Sequence, residues 1–422
     1  MKKINLLGLD REVYTEKLDN GLEIYMIPML DKKNYFISYA TRFGSDVLEI
    51  NKDKKKNKLP LGIAHFLEHK MFEQSSGIDP FTFFSESGTD SNASTTFDST
   101  QYICMGTKNF ENNLDYLLEF VNSPYYTDEN VEKEKGIIAE EINMYQDIPD
   151  FKLEMKLREA IYNKHPRRID IAGTVSEINK ITKEDLYLCY DSFYVPNNMF
   201  VLIVGNFDYN NALKIIKKKV TKNQVKLPKI NEIKEDDSVY KKELTVKGNI
   251  EVPKIALGIK IPTKNLKISD IELDLYLNML TTILFGSSSD FREKVRREKL
   301  LSSMSMDWER IDNFRTFYLM ANTNYPDELI KEINKVLKNI NISNDSFERI
   351  KKVWIAGEVK IYDNVDLVVG NSYDDIIKYN KLVDNRVELI RNMNINKLKD
   401  IVKNIDFNNK STVKMIKSDK KK

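Results

Sequence analysis

The sequence predicts an α+β chain of two homologous domains, each a mostly antiparallel sheet with helices packed on one face. Three observations predict it. The chain opens with strand-like runs around a tight-turn signal and then mixes strand and helix periodicities. A polar, charged segment interrupts it at 222–237, after which the order of elements begins again. The second half also ends as the first does. Ile181-Thr182-Lys183-Glu184-Asp185-Leu186 leads to Asn197-Asn198 and an apolar run, and Ile395-Asn396-Lys397-Leu398-Lys399-Asp400 leads to Asn408-Asn409 and another. Two copies of one unit of about 200 residues fit the usual domain size. The expected boundaries are 1–222, a linker at 223–238, and 239–422.

Residues 12–18 and 22–27 flank Asp19-Asn20-Gly21, a hairpin signal, and 35–43 reads as a third strand. The charged stretch 51–58 reads as a solvated loop. A helix spans 61–72, and a short one spans 79–87 before Gly88. Residues 91–97 and 100–105, rich in Thr, Phe, Tyr and Ile, read as strands. Helical periodicity covers 109–122, 128–147 and 151–162, and Thr182 opens a further helix. A buried strand at 199–205 and a helix at 210–220 complete the first unit. The second unit starts with strands at 239–246 and 254–261 and a helix at 269–284, and it closes with a strand at 411–416. The Lys-rich tail after Lys417 is expected to be disordered.

The helix at 61–72 carries the chemistry. Apolar residues surround His65, Glu68 and His69. Residues four apart share a helix face, so the two imidazoles point the same way and can grip one Zn²⁺. The intervening carboxylate can take a proton from water at the metal. The chain has only three His in 422 residues. A helix this apolar is expected to be buried, so its two His and Glu need partners, and a metal supplies one.

A catalytic zinc takes three protein ligands and leaves one position open. The third is expected from the helix at 128–147, where Glu132, Glu134, Glu140 and Glu141 are candidates. Glu134 and Glu141, seven apart, share a face with Ile137, Ile138 and Tyr145, which reads as the buried one. Glu132 and Glu140 read as solvated charges. His165, before Pro166, reads as a loop residue.

Lys+Arg 66 against Asp+Glu 64 leaves a net charge of +2, which gives no reason to expect nucleic acid. The longest apolar run, 199–204, is far too short to span a membrane. Cys104 and Cys189 are isolated, and the N-terminus lacks the apolar core of a signal peptide, so a reduced cytoplasmic protein is expected.

The order His-x-x-Glu-His defines the inverzincins, and here the chain resembles the pitrilysin, insulinase and mitochondrial-processing-peptidase family of zinc peptidases. In that family a second helix bears two Glu seven apart. The resemblance implies that Glu141, 72 residues after His69, is the third ligand and Glu134 an assisting catalytic carboxylate beside the base Glu68. Gly88-Thr89-Asp90-Ser91-Asn92-Ala93-Ser94-Thr95 resembles the family's edge strand, which implies that Asn92, Ala93 and Ser94 bind substrate main chain as an added strand. Arg296-Arg297-Glu298-Lys299-Leu300-Leu301-Ser302 resembles an Arg-x-x-Gly-Leu-x-Tyr segment near the scissile bond. Arg296 matches it, Lys299 replaces the Gly, and Ser302 stands where the Tyr is expected. The sequence is most similar to bacterial insulinase-like peptidases paired with a degenerate sister subunit. The resemblance implies a zinc endopeptidase with one Zn²⁺ per chain, acting on peptides or small flexible proteins in a chamber closed by a homodimer or heterodimer. The alternative it leaves is a non-catalytic subunit or peptide-binding partner of a heteromeric processing complex.

Overall fold

A computed structural model describes residues 1–418 apart from Leu7, Gly8, Asp10, Asp53 and Glu232. The end of the tail expected to be disordered, 419–422, lies outside the described residues. Internal contacts divide the chain into two compact units, and neither is continuous in sequence. One comprises Met1–Asn143, Asp170–Glu232 and Val359–Asn385, and the other Met144–Ile169, Ile233–Glu358 and Arg386–Lys422.

The strands of the first unit are β1 Lys2–Asn5, β2 Glu12–Lys17, β3 Glu23–Pro28, β4 Tyr35–Thr41, β5 Glu49–Lys52, β6 Lys55–Lys58, β7 Asp90–Thr95, β8 Thr100–Gly106, β9 Met199–Gly205 and β10 Lys229–Ile230. Seven form one sheet, in the order β1-β2-β3-β9-β4-β8-β7. Only β3 and β9 run parallel in it. The second unit holds β11 Glu243–Gly248, β12 Lys254–Pro262, β13 Ser303–Ile311, β14 Phe314–Asn322 and β15 Lys410–Lys417, ordered β11-β15-β12-β14-β13. There β11 and β15 are the parallel pair. The five strands β3-β9-β4-β8-β7 therefore repeat as β11-β15-β12-β14-β13, each pair in the same sense. Two copies of one α+β unit, as the chain's internal echo predicts, account for this.

One face of the first sheet packs Ile24, Ile37, Tyr39 and Val201 against helices Ile63–Lys70, Phe110–Val121, Asp128–Gln146 and Lys183–Phe193. Alternation along the strands turns Tyr25, Phe36, Ala40 and Leu202 to the other face. That face is covered as well, by Val365, Val368, Val369, Tyr373 and Ile376 of helix Val365–Tyr379. The second sheet is built alike. Opposite its main helical layer, Leu153, Leu157, Ala160 and Ile161 of helix Pro149–Ile161 pack on Ala256, Tyr318, Val413 and Met415. Each half of the sequence thus contributes one helix to the other half's sheet. Each sheet carries this helix in addition to the single helical layer expected, and the units depart from the sequential 1–222 and 239–422.

Two segments differ from expectation. Residues 51–58 fall mostly in the hairpin β5–β6, extended by β10, rather than in an unstructured loop. Cross-strand pairing absorbs the backbone polar groups while Lys54, Lys55, Lys56 and Lys58 stay exposed. Part of the expected linker is anchored. Glu235 buries its carboxylate against the fully buried Lys260 Nζ at 2.8 Å and accepts from the N–H groups of Asn163, Lys164 and His165. Among the described residues no helix is long and apolar enough to cross a membrane.

Candidate metal centre

Helix Ile63–Lys70 starts at Gly62, whose φ of 84° is left-handed. A Cβ there would stand 2.3 Å from the Ala172 carbonyl oxygen, so Gly lets the 170–173 segment abut the helix start. Ile63, Ala64, Phe66 and Leu67 sink into the core and leave His65 and His69 side by side, ring centroids 4.6 Å apart. Glu141 arrives from helix Asp128–Gln146, which is anchored by Val131, Ile138 and Ile142. Ile137 and Tyr145, read as part of the buried stripe, are 48% and 39% exposed. Ile137 lies on the flank, and residues 143–148 are all exposed.

Each of His65, His69 and Glu141 offers one ligand atom, all within 4.8 Å of one another. Glu141 Oε2 lies 3.7 Å from His65 Nε2 and 3.5 Å from His69 Nε2. Ligand atoms about 2.1 Å from one tetrahedral ion stand about 3.4 Å apart. The buried His65 Nδ1 has no hydrogen-bond partner in the structure. These groups are too far apart to satisfy one another and spaced to share a cation, so the residues fit zinc.

Glu134 lies behind His69, with Oε1 3.0 Å from Nδ1. A carboxylate there holds the ring with its proton on Nδ1 and leaves Nε2 free to bind. Burial drives the His65 pKa down to about 3, aided by His69. Burial also works against charge on His69, but the Glu134 bond and three nearby carboxylates outweigh it and raise its pKa. Burial raises the Glu68 carboxyl against the opposing Thr95 bond. Glu134, though burial opposes its charge, is held below its usual range by His69 and Lys70.

The sequence reading does not single out Lys70, Thr95 or Asp170. Thr95 on β7 donates through Oγ1 to Glu68 Oε2 at 2.5 Å. Asp170 accepts from Ala172 N–H, and burial raises its pKa with help from Glu141. A signal for Lys70 was present. A Lys in a helix that reads as buried needs partners just as the two His and the Glu do.

Asn92, Ala93 and Ser94 lie on β7, the edge strand of its sheet among the described strands. Ala93 N–H donates to Asn92 Oδ1 at 2.8 Å. Arg296 stands on helix Asp290–Arg297 of the second unit, and Ser302 is exposed. Lys299, where the resembled segment has Gly, adopts a φ of 55° at the helix end. His165 lies in the second unit, buried, accepting Arg167 N–H at Nδ1.

A family model described as insulinase (peptidase family M16) matches residues 53–175, and one described as peptidase M16 inactive domain matches 180–353. YmfH of Bacillus subtilis, described as an uncharacterized zinc protease, is 39% identical over 88% of each chain. The crystal structure of a putative M16-like peptidase from Alicyclobacillus acidocaldarius, 32% identical, superposes with a TM-score of 0.90 over 98% of this chain and 100% of that one. A protease from Helicobacter pylori, 22% identical, shares the fold with a TM-score of 0.82 over 97% of this chain and 100% of its own. The motif helix, its Glu-bearing partner and these likenesses agree, and the chain belongs to peptidase family M16, the insulinase family.

Proposed function

We propose that this chain is a zinc-dependent endopeptidase cleaving peptides or small flexible proteins, with one Zn²⁺ held by His65, His69 and Glu141. The convergence of those three ligand atoms, 3.5 and 3.7 Å from carboxylate to imidazoles, carries the reading. When bound, the metal supplies the Lewis acidity that lowers the pKa of a water and polarises the scissile carbonyl. Glu68 takes the proton that the attacking water loses and returns it to the leaving amine. Thr95 holds Glu68 by Oε2 and so leaves Oε1 for that proton. Glu134 keeps His69 in the binding tautomer. Substrate main chain adds as a strand along β7 at Asn92, Ala93 and Ser94, and the resemblance at 296–302 makes Arg296 a further substrate contact, from whichever chain of the assembly presents it.

The test is substitution. Glu68→Gln keeps zinc and fold but lowers turnover of a quenched fluorescent peptide about 10²–10⁴-fold, while His65→Ala and Glu141→Gln lose most of the zinc by elemental analysis. Turnover of Glu68→Gln within about tenfold of wild type overturns its role as base. Unchanged metal content in both other variants overturns the ligand set.

The working form on this reading is a cytoplasmic dimer, of two copies or with a degenerate sister subunit, enclosing the substrate. Its support is the exposed Ser302 where a substrate-facing Tyr is expected, together with two free, buried thiols. Turnover per chain should rise with protein concentration or on adding the sister, in step with size in solution, and full activity from a strict monomer refutes it. Ser302 also favours a second reading, a subunit that binds zinc and peptide without cleaving. Chelator-sensitive peptide cleavage by the assembled protein excludes that one.

A further inference from the structure

Lys70 follows His69 directly and ends helix Ile63–Lys70. Its side chain is fully buried. Met or Leu would suit an apolar core position, and a buried ammonium is costly unless it is paired. Lys70 has two carboxylate partners. One is Glu73, three residues on, which is 43% exposed. The other is Glu134, whose Oε2 lies 3.5 Å from Nζ. Glu134 is thus divided, with Oε1 on His69 Nδ1 and Oε2 toward Lys70.

We propose that Lys70 is a positioning residue of the metal centre, acting on His69 through Glu134. The inference rests on reading His65, His69 and Glu141 as ligands. The ammonium engages the oxygen that His69 does not use, so the Glu134 carboxylate can neither rotate away from Nδ1 nor exchange its oxygens freely. His69 is then fixed in ring orientation and tautomer, with Nε2 toward Glu141. Glu73 completes the neutralisation on the side that water reaches. The row Glu73–Lys70–Glu134 therefore alternates charge from the surface to the carboxylate that holds His69, and its rigidity lies in the Lys70–Glu134 and Glu134–His69 links.

Partners behind a ligating His typically change metal affinity 10–100-fold when removed. The experiment measures zinc affinity of the apo protein by competition with a chromophoric chelator. The proteins are wild type, Lys70→Met, Glu134→Gln, the double variant and Glu73→Gln, each checked for fold by circular dichroism. Lys70→Met should bind zinc about 10–100-fold more weakly. In the Glu134→Gln background the same substitution should change affinity less than about threefold, because the link it breaks is already gone. Glu73→Gln should stay within about threefold of wild type. Lys70→Met within threefold of wild type, or an equal drop in both backgrounds, overturns the proposal. If Lys70→Met does not fold, a drop of more than about threefold from Glu134→Gln to the double variant still overturns the proposal. The double variant removes both inner charges and leaves only Glu73, which water solvates. A wild-type protein that binds no zinc would instead overturn the ligand reading itself.

Discussion

Replacing Gly62 by Ala tests how the backbone places the helix that bears His65 and His69. Gly62 has a φ of 84°, and a Cβ added there would lie 2.3 Å from Ala172 O, 2.8 Å from Ala172 C and 3.2 Å from Gly173 N. Left-handed backbone costs a non-Gly residue about 1–2 kcal/mol. The steric part concerns backbone atoms that cannot swing aside as a side chain can. Opening roughly 1 Å between two segments is overpacking, which costs about 1–3 kcal/mol. Together the loss is about 2–5 kcal/mol, a large share of a typical total of about 5–15 kcal/mol. Gly173 faces the same gap from the other side, its Cβ 2.6 Å from Leu61 O. Gly173→Ala should therefore cost a similar amount, and the double variant less than the sum, since one opening relieves both clashes. Gly136, in a helix with open space at its Cβ, is the internal control, and its Ala variant should gain about 0.5–1 kcal/mol. Urea denaturation of the apo proteins, followed by far-UV circular dichroism, measures all four. A Gly62→Ala variant within about 0.5 kcal/mol of wild type would refute the close approach.

Two further substitutions test the second unit by the same denaturation assay. Lys299 takes the left-handed position after helix Asp290–Arg297, with Leu300 N–H bonded to Val295 O, so Lys299→Gly should stabilise by about 1 kcal/mol, and no gain would remove strain as the consequence of the missing Gly. Glu235→Gln should destabilise by about 3–5 kcal/mol, because it leaves the buried Lys260 uncompensated, and a loss below about 1 kcal/mol would show that this segment is a free linker.

What the sequence makes legible here follows the range of the forces involved. His65, Glu68 and His69 lie on one helix turn, and Glu134 and Glu141 on another helix, so helical period alone sets their directions. The turn at Asp19-Asn20-Gly21 is equally local, and Gly21 takes the left-handed backbone it needs. Helices Pro149–Ile161 and Val365–Tyr379 have readable apolar faces, but a face does not name its sheet. Leu157 and Ile376 would satisfy either one, and only the course of the folded chain decides. The hairpin at 51–58 is hidden because its strands bury almost nothing and pair through backbone that every residue shares. Ile137 and Tyr145 mislead for a related reason, since apolar character at the right angle does not ensure a neighbour to cover it.

The two copies share a strand order, yet only the first sets two His and a Glu in its motif helix. The equivalent helix of the second unit, Asp270–Phe285, follows the strand equivalent to β4 and contains no His. Its buried positions are Leu, Tyr, Met, Thr, Ile and Phe, and the polar atoms among them are satisfied within the unit, the Tyr276 hydroxyl accepting from Asn394 N–H and Thr281 Oγ1 from Trp308 Nε1–H. In the first unit, Glu68 is held by Thr95, His69 by Glu134, and Glu134 in turn by Lys70. Each of these groups is satisfied by another member of the set, and His65 Nδ1 and the gap between the imidazoles and Glu141 are what remains unsatisfied. Such a set cannot be diluted one residue at a time, because each deletion strands a buried neighbour. A duplicated fold gives the ligand-bearing set to one copy, while the buried polar groups of the other close among themselves, as Lys260 does with Glu235 and Arg315 with Asp270 and Asp274.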